Sequence, residues 1–346
     1  MRTVTVKTGR PYEVLIGAGL LSDIGKRAAA VTTVGRAMLV SDDNVYAIYG
    51  EKVGKALEES GFQISRFVIR HGEESKNLQI YGQILESLCE NRFTRDDVII
   101  ALGGGVTGDL AGFVAATYQR GIPFVQVPTS LLAAVDSSVG GKTAVDLPNG
   151  KNQVGCFYQP VLVLCDTDTL QTLPKEEYRN GCAEIIKYGM LDGPELFGKL
   201  ESKPVSEQYE DIIERCVSIK RDYVEQDEYD RGMRMLLNLG HTIGHAVETC
   251  SEFRVPHGNG VAIGMAKIAA AAARKGFCGE DTAKRLTALI RYYGLPTKTS
   301  FAKDDLWAAA MNDKKNATDA MRIVVPEAIG RCSVIRLSRE EFREWL

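Results

Sequence analysis

Apolar residues in the first half of the chain form short, nearly continuous runs that alternate with amphipathic segments. The runs predict strands, and the 3.6-residue spacing between them predicts helices. Strands that are apolar throughout are covered on both faces, which is typical of a parallel, doubly wound sheet. The predicted strands are 36–42, 63–69, 97–102, 123–127 and 161–165, and the predicted helices are 45–59, 78–90 and a third that ends near 116.

The second half of the chain has a different pattern. From residue 175 to about 311 it shows long helical periodicities and almost no strand-like run. A short strand at 321–326 and a helix at 338–346 close the chain, with Ser338 as N-cap and Glu341 at the capping-box position. We therefore predict an α/β, Rossmann-like domain with a mostly parallel sheet at 1–174 and an all-α domain at 175–346.

Composition and charge exclude several classes of protein. The 346 residues carry 45 acidic and 42 basic side chains, a net charge of −3, and no run of Lys or Arg exceeds two residues. A surface for nucleic acid or for an anionic membrane is therefore not indicated. The start alternates as a strand does, no apolar stretch reaches the roughly 18 residues of a membrane helix, and the eight cysteines form no Cys-x-x-Cys pair. A cytoplasmic enzyme with reduced thiols is expected.

A glycine-rich segment joins the strand that ends at 102 to the following helix. Gly103-Gly-Gly105-Val-Thr-Gly108 fits the pattern G-x-G-x-x-G, in which backbone N–H groups approach a pyrophosphate at a helix N-terminus. The segment follows the third of the predicted strands, not the first as in the standard dinucleotide fold, so a purely structural turn is the alternative. Asp42, at the end of an earlier strand, indicates either a ribose contact or the start of a helix.

Three of the four histidines lie within 17 residues of each other. His241 and His245 are four residues apart, which places both imidazoles on one helical face and suits a divalent metal or a proton-transfer pair. His257 begins the next predicted helix. Since no cysteine is suitably placed, we expect a carboxylate as the remaining ligand, with one position open for substrate. The spacing does not select which carboxylate.

Several cationic and amide side chains accompany these motifs. Taken singly, each would predict only a solvated surface charge. The cationic and amide residues are Lys142, Lys151 and Asn152 in a glycine-rich, hairpin-like segment, and Lys187, Lys220, Arg234 and Asn238 on predicted helices.

One of these segments, Gly140-Gly-Lys-Thr143, is similar to the end of a phosphate loop. The first glycine of G-x-x-x-x-G-K-[ST] is missing, which argues against an NTPase.

The order of these segments, over nearly the whole chain, resembles the 3-dehydroquinate synthases of the sugar phosphate cyclase superfamily. No single segment decides the resemblance, but their succession does. The main ones are GGGVTGD at 103–109, YQRG at 118–121, PTSLLA at 128–133, DSSVGGKT at 136–143, GKN at 150–152, AEIIKYG at 183–189 and NLGHTIGH at 238–245.

The resemblance implies two cofactors. A divalent metal, usually zinc and alternatively cobalt, would be held by Glu184, His241 and His257, which leaves His245 to face the substrate. The implied NAD contacts are Asp42, Asn44, Glu73, Lys76, Gly104, Gly105, Val106, Asp109, Thr129, Ser130, Lys142, Lys151, Thr169 and Thr172.

The resemblance also implies a set of catalytic and substrate contacts. Arg120 would reach the site of a neighbouring subunit, which implies a homodimer. The implied catalytic residues are Lys142, Lys187, Lys220, Arg234, Asn238 and His245, and the implied substrate contacts are Asp136, Lys151, Asn152, Lys314 and Arg120.

The implied activity converts 3-deoxy-D-arabino-heptulosonate 7-phosphate to 3-dehydroquinate and phosphate, in the shikimate pathway of aromatic amino acid biosynthesis. It is a carbon–oxygen lyase reaction with transient oxidation by NAD, elimination of phosphate, re-reduction and an intramolecular aldol closure. The substrate carries a phosphate and a carboxylate, and converging Lys, Arg and Asn side chains would neutralise and orient both anions.

Three alternatives are weighed against this interpretation. A metal-dependent polyol or glycerol-phosphate dehydrogenase would need fewer anion-binding residues than Lys142, Lys151, Arg234 and Asn238 provide. A sister sugar-phosphate cyclase that makes an inosose or a valiolone is disfavoured by the segment at 136–142 and by Arg234. A catalytically inactive NAD-binding or scaffolding protein would be expected to have lost ligand positions, and none is lost.

Overall fold

The computed structural model describes residues 1–148, 150–312 and 320–346. The chain divides into two compact units, the first formed by Met1–Pro174 with Lys220–Tyr229 and the second by Lys175–Ile219 with Asp230–Leu346. None of the described helices is both long enough and apolar enough to cross a membrane.

The first unit is built on a mostly parallel sheet. Its strands are β1 (Arg2–Val6), β2 (Tyr12–Gly17), β3 (Arg36–Asp42), β4 (Gln63–Ile69), β5 (Val98–Gly103), β6 (Phe124–Pro128), β7 (Lys142–Leu147), β8 (Gly150–Phe157) and β9 (Leu162–Asp166). In the described residues, seven of them pair in the order β1-β2-β9-β6-β5-β3-β4, and only β1 is antiparallel to its neighbour. The strands β7 and β8 form a separate antiparallel hairpin.

Helices cover both faces of this sheet. Leu39 of β3 lies in one core cluster with Ile24 and Leu57, whereas Met38, its neighbour, lies in another with Leu88. Successive side chains of a strand point to opposite faces, so both faces of the sheet are buried against hydrophobic side chains. The helices of this unit are α1 (Ile24–Val31), α2 (Asp43–Val45), α3 (Glu51–Glu58), α4 (Leu78–Glu90) and α5 (Gly105–Thr117), with a π-helical turn at Tyr46–Gly50 between α2 and α3.

The second unit is mainly helical. Its helices are α6 (Lys175–Asp192), α7 (Pro194–Ser202), α8 (Tyr209–Gln226), α9 (His241–Cys250), α10 (His257–Arg274), α11 (Glu280–Tyr292), α12 (Lys303–Asn312) and α13 (Arg339–Arg343). Residues 220–226 of α8 belong to the first unit. The predicted class, an α/β region followed by a helical region, is confirmed.

An antiparallel hairpin adds to the helices of the second unit. It pairs β10 (Ala320–Ala328) with β11 (Arg331–Ser338), and only its first strand was predicted. The helix that follows is shorter than predicted, at Arg339–Arg343, but it begins with the expected capping box: Ser338 Oγ accepts from the backbone of Glu341, and Glu341 accepts from the backbone of Ser338.

Candidate active site

Three helices of the second unit bring Glu184, His241 and His257 together. Glu184 lies within α6, while His241 and His257 are the first residues of α9 and α10. The Nε2 atoms of His241 and His257 lie 3.4 and 3.2 Å from the same atom, Glu184 Oε1. One possible ligand atom from each residue can be chosen so that the three atoms all lie within 4.8 Å of one another. The three side chains are therefore arranged as metal ligands are.

Glycines allow these helices to approach closely enough. A Cβ on Gly258 of α10 would lie 2.3 Å from the carbonyl oxygen of Asn180 of α6, so these two helices pack in close contact. The helices α9 and α10 are equally close. A Cβ on Gly244 would lie 2.9 Å from the backbone of Gly260, and a Cβ on Gly264 would lie 1.9 Å from the carbonyl oxygen of Gly240. Larger residues would separate the helices that carry the three ligands.

The outer nitrogens of the two histidines also have partners. His257 Nδ1 lies 2.9 Å from Glu248 Oε1, and His241 Nδ1 lies 3.2 Å from the carbonyl oxygen of Leu239. Metal-binding histidines commonly donate their other ring N–H to a carboxylate or a backbone carbonyl in this way. The buried ammonium of Lys187 forms an ion pair with the second carboxylate oxygen of Glu184.

Burial and charge perturb all three groups. Burial opposes ionisation of Glu184, but Lys187 and His241 outweigh it and hold the pKa of this carboxyl well below its usual range. Burial lowers the pKa of His241 to about 4. Burial also opposes the charged form of His257, yet hydrogen bonds to Glu184 and Glu248 raise its pKa to about 10. Glu184 is thus ionised and His241 neutral at pH 7, whereas His257 is protonated and must release its Nε2 proton when it binds a divalent metal.

His245 stands beside this set. Its ring centroid lies 5.5 Å from that of His241 and 6.0 Å from that of His257. His245 also forms a second possible ligand group with Glu248 and His257 among the described residues. The group with Glu184 fits zinc better, because two imidazole Nε2 atoms point at one carboxylate oxygen while their Nδ1 atoms are already engaged.

A short 3₁₀ helix, Met233–Asn238, precedes these ligands in the chain. It carries Arg234, which is almost fully buried, and ends with the half-buried Asn238. Gly240, with a φ of 83°, turns the chain from this segment into α9. The predicted substrate contacts Arg234 and Asn238 thus lie on the segment that leads directly to His241.

In the first unit, most predicted NAD contacts follow the carboxyl ends of parallel strands. Asp42 ends β3, Gly104 follows β5, Thr129 follows β6 and Thr169 follows β9. Adjacent parallel strands end at the same edge of a sheet, which is where α/β sheets bind their ligands. Asn44, Val106, Ser130 and Thr172 lie on the connections that follow these strands, and Glu73 follows the parallel strand β4.

The turn between β5 and α5 has the geometry that the glycine motif predicts. A Cβ on Gly103 would lie 2.4 Å from Thr107 Oγ1, so only glycine fits this turn. Gly104 is the extended N-cap of α5 and offers no side-chain cap. Cβ atoms on Gly104 and Gly105 would meet serine hydroxyls at 3.3 and 3.2 Å. The N-terminus of α5 therefore presents backbone rather than side chains, as an anion site does.

Other predicted contacts at this edge have local roles. Asp42 caps α2, since Oδ1 accepts from the backbone of Val45 at 3.0 Å. The hydroxyl of Thr169 donates to the carbonyl oxygen of Asp166, and the hydroxyl of Thr172 lies 2.7 Å from that of Tyr49. The helix-start interpretation of Asp42 is thus confirmed for one of its oxygens.

A buried cation organises the charged part of this unit. Lys76 Nζ lies 2.8 Å from Glu73 Oε1, 3.2 Å from Asp109 Oδ2 and 3.8 Å from Asp146 Oδ1. It also donates to Asn152 Oδ1 at 2.8 Å. We call these five residues the Lys76 cluster. It brings together four residues that were predicted as separate cofactor or substrate contacts.

The Lys76 cluster perturbs its own carboxyl groups. Burial raises the pKa of Asp109 to about 6, although Lys76 opposes the shift. Burial likewise raises the pKa of Asp146. Burial would raise the pKa of Glu73 too, but Lys76 and Lys151 outweigh it and lower that pKa. Lys76 itself has a raised pKa, because three carboxylates outweigh its burial, so it stays charged.

Five further predicted contacts also lie in the first unit. Lys220 Nζ forms an ion pair with Asp136 and donates to its carbonyl oxygen at 2.7 Å. Lys142 opens β7, and Lys151 Nζ lies 3.9 Å from Glu73 Oε2. Arg120 is exposed and has a φ of 64°. Lys314 lies outside the described residues.

Sequence reasoning missed two carboxylates in these clusters. Asp146 joins the Lys76 cluster, and its Oδ1 accepts from the backbone of Asn152 at 2.6 Å. Glu248 contacts His257 and was assigned no role. A signal was available for Glu248, since it lies three residues after His245 and seven after His241, on the same face of a helix. Nothing in the spacing singles out Asp146.

Comparisons with known proteins agree with this geometry. Two family models match adjacent stretches: 3-dehydroquinate synthase N-terminal at residues 66–180 and 3-dehydroquinate synthase C-terminal at residues 181–316. The 3-dehydroquinate synthase of Pelobacter propionicus is 43% identical over 99% of this chain and 98% of its own length. That of Clostridium acetobutylicum is 41% identical over 100% of this chain and 99% of its own.

Solved structures of sugar phosphate cyclases have the same fold. A 2-epi-5-epi-valiolone synthase from Streptomyces hygroscopicus, with NAD⁺ and Zn²⁺ bound, has a TM-score of 0.89 at 26% identity and covers 100% of this chain and 98% of its own. A 2-deoxy-scyllo-inosose synthase with NAD⁺ and Co²⁺ has a TM-score of 0.88 at 24% identity, covering 99% and 98%. With both family models and the full-length relatives in agreement, the chain belongs to the 3-dehydroquinate synthase family.

Proposed function

We propose that this protein converts 3-deoxy-D-arabino-heptulosonate 7-phosphate to 3-dehydroquinate and phosphate, as a phosphate-eliminating carbon–oxygen lyase. The observation that carries the proposal is the convergence of Glu184, His241 and His257 in a chain that matches 3-dehydroquinate synthases over its full length. NAD and one divalent metal, zinc or cobalt, are the proposed cofactors, since both kinds of ligand occur in the related cyclases.

The chain's own residues would hold both cofactors in a defined way. Glu184, His241 and His257 would bind the metal, and the backbone at Gly104 and Gly105 would receive the pyrophosphate of NAD. When bound, NAD would accept and return one hydride, while the metal would supply Lewis acidity. The Lys76 cluster would orient polar groups of the cofactor through hydrogen bonds.

The cationic residues are proposed to bind the two anions of the substrate. Buried Lys187 and Arg234 lie in the second unit with Asn238, and Lys220, Lys142 and Lys151 lie in the first with Asn152. A buried guanidinium or ammonium contributes strongly to phosphate and carboxylate binding, because the attraction is little screened there. These residues would position the substrate, and positioning provides much of the catalysis in such a reaction.

His245 is the proposed proton-transfer residue. It lies beside the metal-ligand set without belonging to the Glu184 group, and an imidazole can both accept and donate a proton. Asp136, already paired with Lys220, would contact substrate hydroxyl groups. Lys314 is proposed to join the substrate contacts.

Two properties of the whole protein are also proposals. A homodimer would let Arg120 of one protomer reach the substrate site of its partner, and the exposure of Arg120 supports this. A cytoplasmic location is proposed because the eight cysteines form no disulfide, which is typical of proteins in a reducing compartment.

The test is phosphate release from the heptulosonate phosphate. We expect release with NAD and Zn²⁺ present, little release after chelation of the metal, and restoration when Zn²⁺ or Co²⁺ is added back. NADH should not accumulate, because the hydride returns within each cycle. An absence of phosphate release with both cofactors bound would refute the proposal, and steady NADH formation from a polyol would favour a dehydrogenase instead.

A further inference from the structure

Glu248 is a buried carboxylate for which the reaction gives no direct use. It lies on α9, seven residues after His241, and is 3% exposed. Its Oε1 lies 2.9 Å from His257 Nδ1. An ionised carboxylate can only accept hydrogen bonds, so this contact places a proton of His257 on Nδ1. His257 can therefore keep its Nδ1 proton while a metal displaces the proton on Nε2, the atom that faces Glu184.

The two histidines are oriented by different acceptors. His241 Nδ1 faces the backbone carbonyl of Leu239 at 3.2 Å, whereas His257 Nδ1 faces the Glu248 side chain. A backbone carbonyl is fixed by the fold and cannot be mutated away. Of the two acceptors, only the carboxylate of Glu248 can be tested by a substitution. It is also a stronger acceptor than a backbone carbonyl.

The surroundings of Glu248 are built to hold it in place. A Cβ on Gly260 would lie 3.3 Å from Glu248 Cγ and 3.4 Å from its Oε1, so glycine at 260 leaves the room that the side chain occupies. The carbonyl oxygen of Glu248 accepts from Ser251 Oγ at 2.8 Å and from the backbone of Phe253 at 2.8 Å. Its backbone is therefore fixed at the end of α9, and its side chain packs against α10.

We infer that Glu248 is a positioning residue that orients His257 for metal binding. The inference rests on the proposed function, because it requires that Glu184, His241 and His257 hold a divalent metal. It makes Glu248 a partner of a ligand and not a ligand itself. The second possible group, His245, Glu248 and His257, makes the opposite assignment, and the experiment below separates the two.

The experiment measures the affinity for Zn²⁺ of the full-length protein by competition with a chromophoric chelator, independently of activity. The variants are Glu248→Gln, Glu248→Asp and Glu184→Gln, and Glu201→Gln is the matched control. Glu201 is a partly exposed glutamate of the same unit that pairs with Arg285. The d–d absorption of bound Co²⁺ reports ligand geometry, and the thermal unfolding of each metal-free variant reports folding.

We expect Glu248→Gln to weaken Zn²⁺ binding about 10- to 100-fold and to alter the Co²⁺ spectrum, because loss of an outer carboxylate has effects of this size. Glu248→Asp should recover part of the affinity, Glu184→Gln should abolish specific binding, and Glu201→Gln should match the wild type. Metal-free Glu248→Gln should still unfold in one cooperative transition, somewhat below the wild-type temperature because it loses a charged hydrogen bond, and this excludes a general loss of structure.

Two results would overturn the inference. Wild-type affinity and spectrum in Glu248→Gln would show that Glu248 does not orient His257. Retention of the metal in Glu184→Gln, together with its loss in Glu248→Gln, would make Glu248 a direct ligand. Failure of the wild-type protein itself to bind Zn²⁺ or Co²⁺ is a distinct outcome, because it would overturn the proposed metal and the inference with it.

Discussion

Lys76 and Asp109 form an ion pair in which burial and charge act in opposite directions. The ammonium lies 3.2 Å from Asp109 and also has Glu73 and Asp146 nearby, so one cation is shared by three carboxylates. Asp109 is the carboxyl with the largest resolved shift in this cluster, and its pKa of about 6 lies above the ordinary 3.8. A buried carboxyl with a raised pKa makes the stability of the fold depend on pH.

Asp109→Asn should remove part of this pH dependence. The folded protein holds one more proton than the unfolded chain at pH values between the two pKa values, so Asp109 stabilises the fold below about pH 4 and loses that contribution as the pH rises through about 6. Relative to the variant, wild-type unfolding free energy should fall by about 2 kcal/mol between pH 4 and pH 7. Urea unfolding of the cofactor-free protein at a series of pH values measures this.

The matched control is Asp96→Asn, which makes the same change at an exposed aspartate of the same unit. Its pH dependence should follow that of the wild type. Parallel curves for the wild type and Asp109→Asn would mean that the carboxyl of Asp109 titrates in its ordinary range.

At the scale of elements, the crossing of α9 and α10 decides whether the metal ligands meet. Gly264 faces the carbonyl oxygen of Gly240, and Gly244 faces the backbone of Gly260. Neither pair leaves space for a methyl group, and the obstructing atoms belong to the backbone, which cannot rotate away. The glycines therefore set the distance between the helix that begins with His241 and the helix that begins with His257.

Gly264→Ala should destabilise the protein and weaken metal binding together. The added methyl would lie 1.9 Å from the carbonyl oxygen of Gly240, so α9 and α10 must separate, at a cost of about 1–3 kcal/mol. Gly198→Ala, in α7, is the control, because nothing lies within 4 Å of its added Cβ. That change should stabilise the protein by about 0.5–1 kcal/mol. Chemical unfolding and Zn²⁺ titration of both variants test the pair; equal stability in the two would contradict the packing argument.

Helices and strands with one consistent pattern of apolar residues were predictable from the sequence. Strands that form only by pairing with another strand were not. The strand at 36–42 and the helix at 78–90 have the predicted bounds, since each is an uninterrupted apolar or amphipathic run. The strand β11 was missed because Arg331-Cys-Ser-Val-Ile-Arg-Leu-Ser338 has no regular alternation of polar and apolar residues, and its pairing with β10 supplies the missing signal. β10 also continues past Pro326, which marks the predicted end.

The candidate site was predictable in its residue types but not, from spacing alone, in its groupings. The clustered histidines indicated a metal, yet the carboxylate that completes the set lies 57 residues before His241 in the sequence. Only the packing of α6 against α10 brings Glu184 to the histidines, and sequence separation carries no information on that contact. The resemblance to the family supplied the assignment that the spacing left open.

At the scale of the whole molecule, Arg120 offers a test of assembly. It follows Gln119 in the exposed turn after α5, and both residues have positive φ, at 64° and 50°. Non-glycine residues rarely adopt this conformation, so the turn is held at a conformational cost. A turn of this kind suits a contact made with a second protomer.

Mixed dimers of Arg120→Ala and His257→Ala should recover activity that neither variant shows alone. In such a dimer the protomer with an intact metal site would receive Arg120 from its partner, so about a quarter to a half of wild-type phosphate release is expected, depending on the fraction of mixed dimers. Mixing His241→Ala with His257→Ala is the control, since both changes disable the protomer that carries them. No recovery in the first mixture would place Arg120 in its own protomer's site or outside any site.

The segment Lys220–Tyr229 determines how the protein can be divided into fragments. It belongs to the first unit although second-unit sequence precedes and follows it, and it supplies Lys220 to Asp136, Glu225 to the backbone of Lys7 and Glu228 to that of Gly9. A fragment that stops at residue 174 would lack these partners and leave Asp136 without its cation. A first unit expressed on its own therefore needs residues 220–229 grafted onto residues 1–174, because a single cut after Pro174 removes them.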